Sequence, residues 1–399
     1  MLGSFLKDLH VSLNECSAPK YAVVTGNQAC DLDSIACAVS YAYIRSKEDP
    51  DSGTVYVPYC NIPDRDLDLR TEVSYWLGAC NIDKTDLFYS GSLDCLLKPT
   101  TTKEIGVILV DHAQQEPNNA FSTCSVQEII DHHPLLPGYK QPDTCAYFLV
   151  EQVGSCASLI ALELFKRVPR ELIPPELCQL LYGAIVIDNA GLSDLAKQLQ
   201  KATPKDLEAA DKLEGFMKAA AVTGVSTREA VYEQIKEAKF SIKGLSLWDL
   251  LRRDFKRVNA DSEHQLEIVC STITGMDFVE LLEHRDFGQV TRRFCEEHGA
   301  QVLVCITVGN ISVTSSDTSV ASAIRLGLVV TALHDHRNLA EKLWRHLMAS
   351  KVLCLEPPSK ESKLNGGAES VVFAATITNK AVTRKQAIPI LIEFLRSER

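Results

Sequence analysis

Residues 26–34, GNQACDLDS, follow the short apolar run of residues 21–25, YAVVT. An apolar run of that length ended by Gly-Asn reads as a buried strand giving way to a turn. Asp31 and Asp33 then stand two residues apart at the strand's carboxyl end. A single aspartate there is more often a turn or helix-capping residue than a ligand. The pair gains meaning because the pattern recurs along the chain. EIGVILVDH ends in Asp111 and His112, VQEIIDHH in Asp131, His132 and His133, and the apolar run of LLYGAIVIDNAG in Asp188.

Further apolar runs at residues 54–59, 86–89, 105–110 and 127–130 read as strands, and residues 34–45 and 155–166 carry helical periodicity. Near-continuous apolar strands separated by helices predict an α/β fold with a mostly parallel sheet flanked by helices. Ligands of such sheets collect at the carboxyl ends of the strands, and the four acidic clusters fall at strand or helix ends. Carboxylates gathered there repel one another unless cations are bound. Oxygen ligands with one or two imidazoles suit Mg²⁺ or Mn²⁺, as one ion or as a pair that activates water and clamps phosphoryl oxygens. His112 reads equally as a half-buried histidine bonded to a backbone carbonyl.

The rest of the chain sets bounds. Its 399 residues suffice for two domains, and 46% hydrophobic with 23% charged content is that of a globular protein. A net charge of −11 argues against nucleic-acid or anionic-membrane binding. The first residues read as an amphipathic helix with Leu2, Phe5, Leu6, Leu9 and Leu13 along one side, and not as a secretory signal. Fourteen scattered cysteines without a CxxC pair suit reduced, mostly buried thiols and a cytoplasmic or nuclear location.

Two domains joined by a connector are expected. Residues 1–198 form the first domain and residues 199–238 a charged helical connector. Residues 239–399 form a smaller α/β domain with a mixed sheet, its strands at 266–273, 302–308, 326–330 and 371–377 and its helices at 338–348 and 384–396. Thr203-Pro204-Lys205-Asp206 is a helix start, with Thr as N-cap and an acidic residue at N3. Residues 355–370 form a polar loop.

The motifs GNQACDLDSIAC, LVDH, IDHH and AIVIDNAG resemble those of the DHH phosphoesterases, and the second half resembles their DHA2 partner domain. VPYCNI, VEQVGSCASL, KATPKD, EAKFSIKGLS and LLRRDFK extend the resemblance to the prune-type exopolyphosphatase branch, with yeast-type exopolyphosphatases and family II pyrophosphatases more distant. The resemblance implies a metal-dependent hydrolase acting on short polyphosphates (tripolyphosphate, tetrapolyphosphate, nucleoside tetraphosphates) in an interdomain cleft. Asp31, Asp33, Asp111, His132 and Asp188 would ligate metal, and His133 would face the substrate phosphate. Asn27 stands where pyrophosphatases carry a histidine ligand, and its weaker amide donor favours Mg²⁺. Lys256, Arg384 and Lys385 would bind substrate phosphates, the latter two at a helix N-terminus that favours anions. Prune proteins often read DHH at the second motif and DHR at the third; this chain reads DHA and DHH, which leaves the role of His112 open and strengthens those of His132 and His133. The alternatives are a cyclic-nucleotide phosphodiesterase, or a regulatory protein that binds nucleoside diphosphate kinase and other signalling partners.

Overall fold

The computed structural model describes the chain except residues 1, 16–17, 99–102, 116–118, 137, 200, 221–226, 260–265, 315–319, 358–369, 381 and 399. The chain divides into two compact units, Met1–Lys239 and Phe240–Arg399.

In chain order the first unit carries α1 (Leu2–Glu15), β1 (Lys20–Thr25), α2 (Leu32–Glu48), β2 (Thr54–Tyr59), α3 (Thr71–Ala79), β3 (Glu104–Val110), β4 (Ser125–Asp131), β5 (Tyr147–Val150), α4 (Cys156–Arg167), α5 (Pro175–Asp188), α6 (Asp194–Gln198), α7 (Pro204–Ala219) and α8 (Arg228–Phe240). The five strands form one wholly parallel sheet in the order β2-β1-β3-β4-β5. Alternation along β1 sends Ala22 and Val24 to one face and Tyr21 and Val23 to the other. On the first face they meet residues of α2, α4, α5 and α7; on the second they meet Leu9 and Leu13 of α1. After β1 the chain goes to one side for β2 and returns to the other for β3. The carboxyl ends of β1 and β3 therefore flank the point where the strand order reverses, the usual ligand crevice of an open α/β sheet.

The second unit carries α9 (Leu247–Arg253), β6 (Phe255–Val258), β7 (Ile268–Thr274), α10 (Phe278–Glu283), α11 (Phe287–His298), β8 (Val302–Thr314), β9 (Val320–Leu333), α12 (Arg337–Met348), β10 (Leu355–Glu356), β11 (Ser370–Ile377) and α13 (Arg384–Ser397). Its sheet runs β10-β11-β9-β8-β7-β6 and is mixed, β7 and β8 being the parallel pair. Residues of α12 and α13 cover one face, and those of α9, α10 and α11 the other.

Three details differ from the sequence reading. Residues 86–89 form no strand; they make a turn whose Tyr89 bridges Cys60. Residues 147–150, YFLV, form the edge strand β5, which is not among the expected strands; all four are half-buried. Residues 204–219, expected in a connector, pack into the first unit instead: α7 buries Ala209, Ala210, Leu213, Phe216 and Met217 in the same core as α4 and α5. The helix start at Thr203 is as expected, with a reciprocal capping box to Asp206. Most of the expected polar loop, residues 358–369, lies outside the described residues, while Leu355–Glu356 form β10. The thirteen described cysteines are free, ten of them buried. Among the described residues no helix is long and apolar enough to cross a membrane.

Candidate active site

The site is built from chain reversals at the sheet's carboxyl edge. Six described non-glycine residues have positive φ, and four of them (Cys30, Asp111, Ala190 and Leu192) lie at or beside the motif carboxylates. Backbone held in this sparsely populated region is uncommon outside sites that need it.

Asp31 caps α2, its carboxylate accepting from the Ser34 amide at 3.1 Å. Asp33, buried in the first turn of α2, accepts from the Cys156 and Ala157 amides at 2.8 Å each. Those amides open α4, whose own Ser155 makes no side-chain cap. A carboxylate from α2 thus serves as the missing N-terminal acceptor of α4, where the helix dipole favours negative charge. Even so, burial drives the Asp33 carboxyl above the usual carboxylate range; the His132 charge opposes this and the Asp31 charge adds to it.

Asp111 follows β3 with φ 63°. One carboxylate oxygen accepts from Ser34 Oγ at 2.6 Å and Asn27 Nδ2 at 2.7 Å; the other lies 3.3 Å from His132 Nε2. Burial and the Asp33 charge push its carboxyl up to about 7. His132 Nδ1 donates to the Val153 carbonyl at 2.9 Å, which turns Nε2 toward Asp111 and, at 3.8 Å, Asp33. Burial alone would lower the His132 imidazole, but Asp111 and Asp33 outweigh it and raise it to about 10.

Asp131 accepts from both the amide and Nδ1 of His133, the latter at 2.9 Å. Burial would raise the Asp131 carboxyl, but those bonds hold it below the usual range. Donor atoms of Asp111, His132 and His133 all lie within 4.8 Å of one another, close enough for one ion. Asp188 ends α5 with an exposed side chain, yet its carboxyl stands well above the ordinary value. The protein mass around it and the charges of Asp33, Asp31 and Asp111 cause the rise.

Four mutually repelling carboxylates with an imidazole presenting Nε2, which a metal can take in place of the proton, fit a hard divalent cation. Burial and neighbouring charge push Asp33, Asp111 and Asp188 toward protonation, and a bound cation would relieve them.

Two motif residues have roles in this arrangement that the motifs left open. Asn27 does not offer its oxygen to this cluster. The amide atom beside the Asp111 carboxylate must be the donor nitrogen, and the oxygen accepts from the Ala29 amide at 2.8 Å. Through that nitrogen Asn27 holds the Asp111 carboxylate. His112 bonds the Val110 carbonyl through Nδ1 at 2.9 Å, the structural alternative. Ser34 went unassigned in the sequence although it stands inside the DLDS motif.

In the second unit Lys256 is exposed on β6, and Arg384 and Lys385 open α13 behind the N-cap Thr383. Arg384 pairs with Asp254 at 2.6 Å, the residue that precedes β6, so β6 and the start of α13 are neighbours. The cation at that helix start thereby has an internal anion.

Residues 22–185 match the DHH family N-terminal domain model and residues 233–394 the DHHA2 domain model. The chain belongs to the DHH family, with a DHHA2 domain as its second part. It is similar to exopolyphosphatase PRUNE1 of Homo sapiens, 30% identical over 307 residues, 77% of this chain and 63% of that one. A putative exopolyphosphatase of Schizosaccharomyces pombe is 32% identical over 61% of this chain and 62% of its own. A probable manganese-dependent inorganic pyrophosphatase of Lactobacillus gasseri is 23% identical over 66% of this chain and 73% of its own. The chain thus spans somewhat under two thirds of the length of the first two. In fold it resembles a putative family II inorganic pyrophosphatase of Methanococcus jannaschii, with a TM-score of 0.50 at 18% identity, covering 94% of this chain and 99% of that one.

Proposed function

We propose that this chain is a divalent-metal-dependent phosphohydrolase that releases terminal phosphate from short inorganic polyphosphates, tripolyphosphate and tetrapolyphosphate first, with nucleoside tetraphosphates as a further class. The observation that carries this is the convergence of Asp33, Asp111 and His132, with His132 Nε2 turned inward by the Nδ1 bond to Val153. The names of the relatives support the substrate class.

Asp31, Asp33, Asp111, His132 and Asp188 would hold Mg²⁺ or Mn²⁺, one ion or two. When bound, such ions polarise a phosphoryl oxygen and lower the pKa of a coordinated water toward neutrality. The chain's own groups do the rest. Asn27 and Ser34 hold Asp111 in one orientation. Asp131 ties His133 Nδ1 and leaves Nε2 for a phosphate oxygen. Lys256, Arg384 and Lys385 are assigned to phosphate binding, where Arg offers a planar fork and Lys a point charge. Signalling partners such as nucleoside diphosphate kinase rest on resemblance alone.

The test is phosphate release from tripolyphosphate, pyrophosphate and cyclic AMP (the last with a coupling phosphatase), in Mg²⁺ and in Mn²⁺. Tripolyphosphate should turn over fastest, and Asp111→Ala should lower the rate about 10²–10³-fold. Faster turnover of cyclic AMP would replace the substrate assignment, and no turnover with either ion would remove the hydrolase reading.

A further inference from the structure

The KATPKD segment contains a carboxylate that the reaction does not use. Asp206 is fully buried, without an ion-pair partner among the described residues. Its charge is held by four donors: Ser158 Oγ at 2.6 Å on one oxygen, and on the other the Gly154 amide at 2.9 Å with the Thr203 amide and hydroxyl at 2.7 Å each. A local capping box needs only the Thr203 bonds. The other two reach about fifty residues back to the turn between β5 and α4.

That turn supplies backbone to two residues of the site. Its Val153 carbonyl orients His132, and its Cys156 and Ala157 amides hold Asp33. Gly154 and Ser158, which Asp206 grips, bracket Cys156 and Ala157, and Gly154 directly follows Val153. The turn is packed closely as well: a Cβ at Gly154 would stand 1.9 Å from Asn189 Oδ1 and 2.4 Å from the Lys201 carbonyl. Only glycine lets the chain pass there.

We propose that Asp206 is a positioning residue that sets both His132 and Asp33 through the 153–157 backbone, and so sets the affinity of the site for divalent metal. The inference rests on the metal-site reading, but its test needs no turnover. Metal-free protein is titrated with Mn²⁺ alone, by calorimetry and by loss of the free-ion electron paramagnetic resonance signal. Variants are Asp206→Leu, Asp206→Asn and Ser158→Ala, with Leu213→Ala as a control that loosens α7 without touching the turn; unfolding temperatures are recorded throughout.

Asp206→Leu removes all four acceptor contacts and should weaken Mn²⁺ binding about 10–100-fold, the size seen when outer supports of metal ligands are lost. Ser158→Ala removes one contact and should weaken it severalfold. Asp206→Asn should restore most of the affinity. Its amide nitrogen can face the Ser158 hydroxyl, which accepts, while its oxygen keeps the other three donors. Leu213→Ala should lower the unfolding temperature and leave Mn²⁺ affinity within about twofold. Should Asp206→Leu fail to fold, Ser158→Ala still decides the matter. The proposal falls if Ser158→Ala and Asp206→Leu bind Mn²⁺ like the wild type, or if Leu213→Ala weakens binding as much as they do. Wild-type binding of Mn²⁺ without phosphate release would sink the hydrolase reading and leave the positioning role standing; no binding at all would sink both.

Discussion

Asp111 concentrates the physics of the site. Its positive φ aims the carboxylate back across the sheet edge, and Ser34 and Asn27 fix one oxygen so that the other faces His132. Ser34→Ala, which removes the shorter of those bonds, should weaken Mn²⁺ binding roughly tenfold in a calorimetric titration. The shifts of Asp111 and His132 also fix a pH dependence. An acid raised to about 7, from an ordinary value near 4, favours folding while protonated and loses that contribution as pH rises through about 7. A histidine raised to about 10 contributes below its ordinary value near 6.5 and loses it as pH climbs toward 10. Both act in one direction. The unfolding temperature of the metal-free protein should fall between about pH 6 and pH 9. Saturating Mn²⁺ should flatten the slope, since the ion replaces the protons. A metal-free unfolding temperature that rises over this range would mean the carboxylates are not gathered as described.

At the scale of elements, α2 and α4 depend on each other. Asp33 from α2 caps the start of α4, and the α4 amides partly offset the rise that burial imposes on that carboxyl. Periodicity located both helices, because each has an apolar face and a clear start. It could not reveal that a residue of one caps the other, since the pairing joins positions more than a hundred residues apart. Helix α7 is the opposite case: its charged composition suggested a solvated connector, yet Ala209, Ala210, Leu213, Phe216 and Met217 form a buried face. Leu213→Ala should therefore cost about 2–5 kcal/mol, read as a lower denaturation midpoint of the first unit. A connector would lose well under 1 kcal/mol. In the second unit, Thr383→Ala should cost about 1 kcal/mol by removing the hydroxyl cap of α13.

For the whole molecule, the unit boundary near residue 239 makes a direct prediction. A chain of residues 1–239 should unfold cooperatively and bind Mn²⁺, because its two cores and every donor of the proposed metal site lie within it. A chain ending at residue 198 lacks α7 and α8 and uncovers the core around α4 and α5. It should aggregate or melt without a cooperative transition, as circular dichroism and gel filtration would show. A well-folded 1–198 chain would restore the connector reading.

The sequence by itself determined the parallel sheet, its near-continuous apolar strands and the carboxylates placed at their ends, because strand composition and turn chemistry are local properties. Membership in the DHH family was legible for the same reason, its motifs being short and contiguous. The tertiary structure alone decided how those residues face one another. Only there does Asn27 turn its nitrogen to Asp111, does Ser34 become that carboxylate's donor, and does Asp206 grip the turn that holds His132 and Asp33. Hydrogen bonds between distant segments have no period and no spacing in the sequence; they exist only once packing has brought the backbones together.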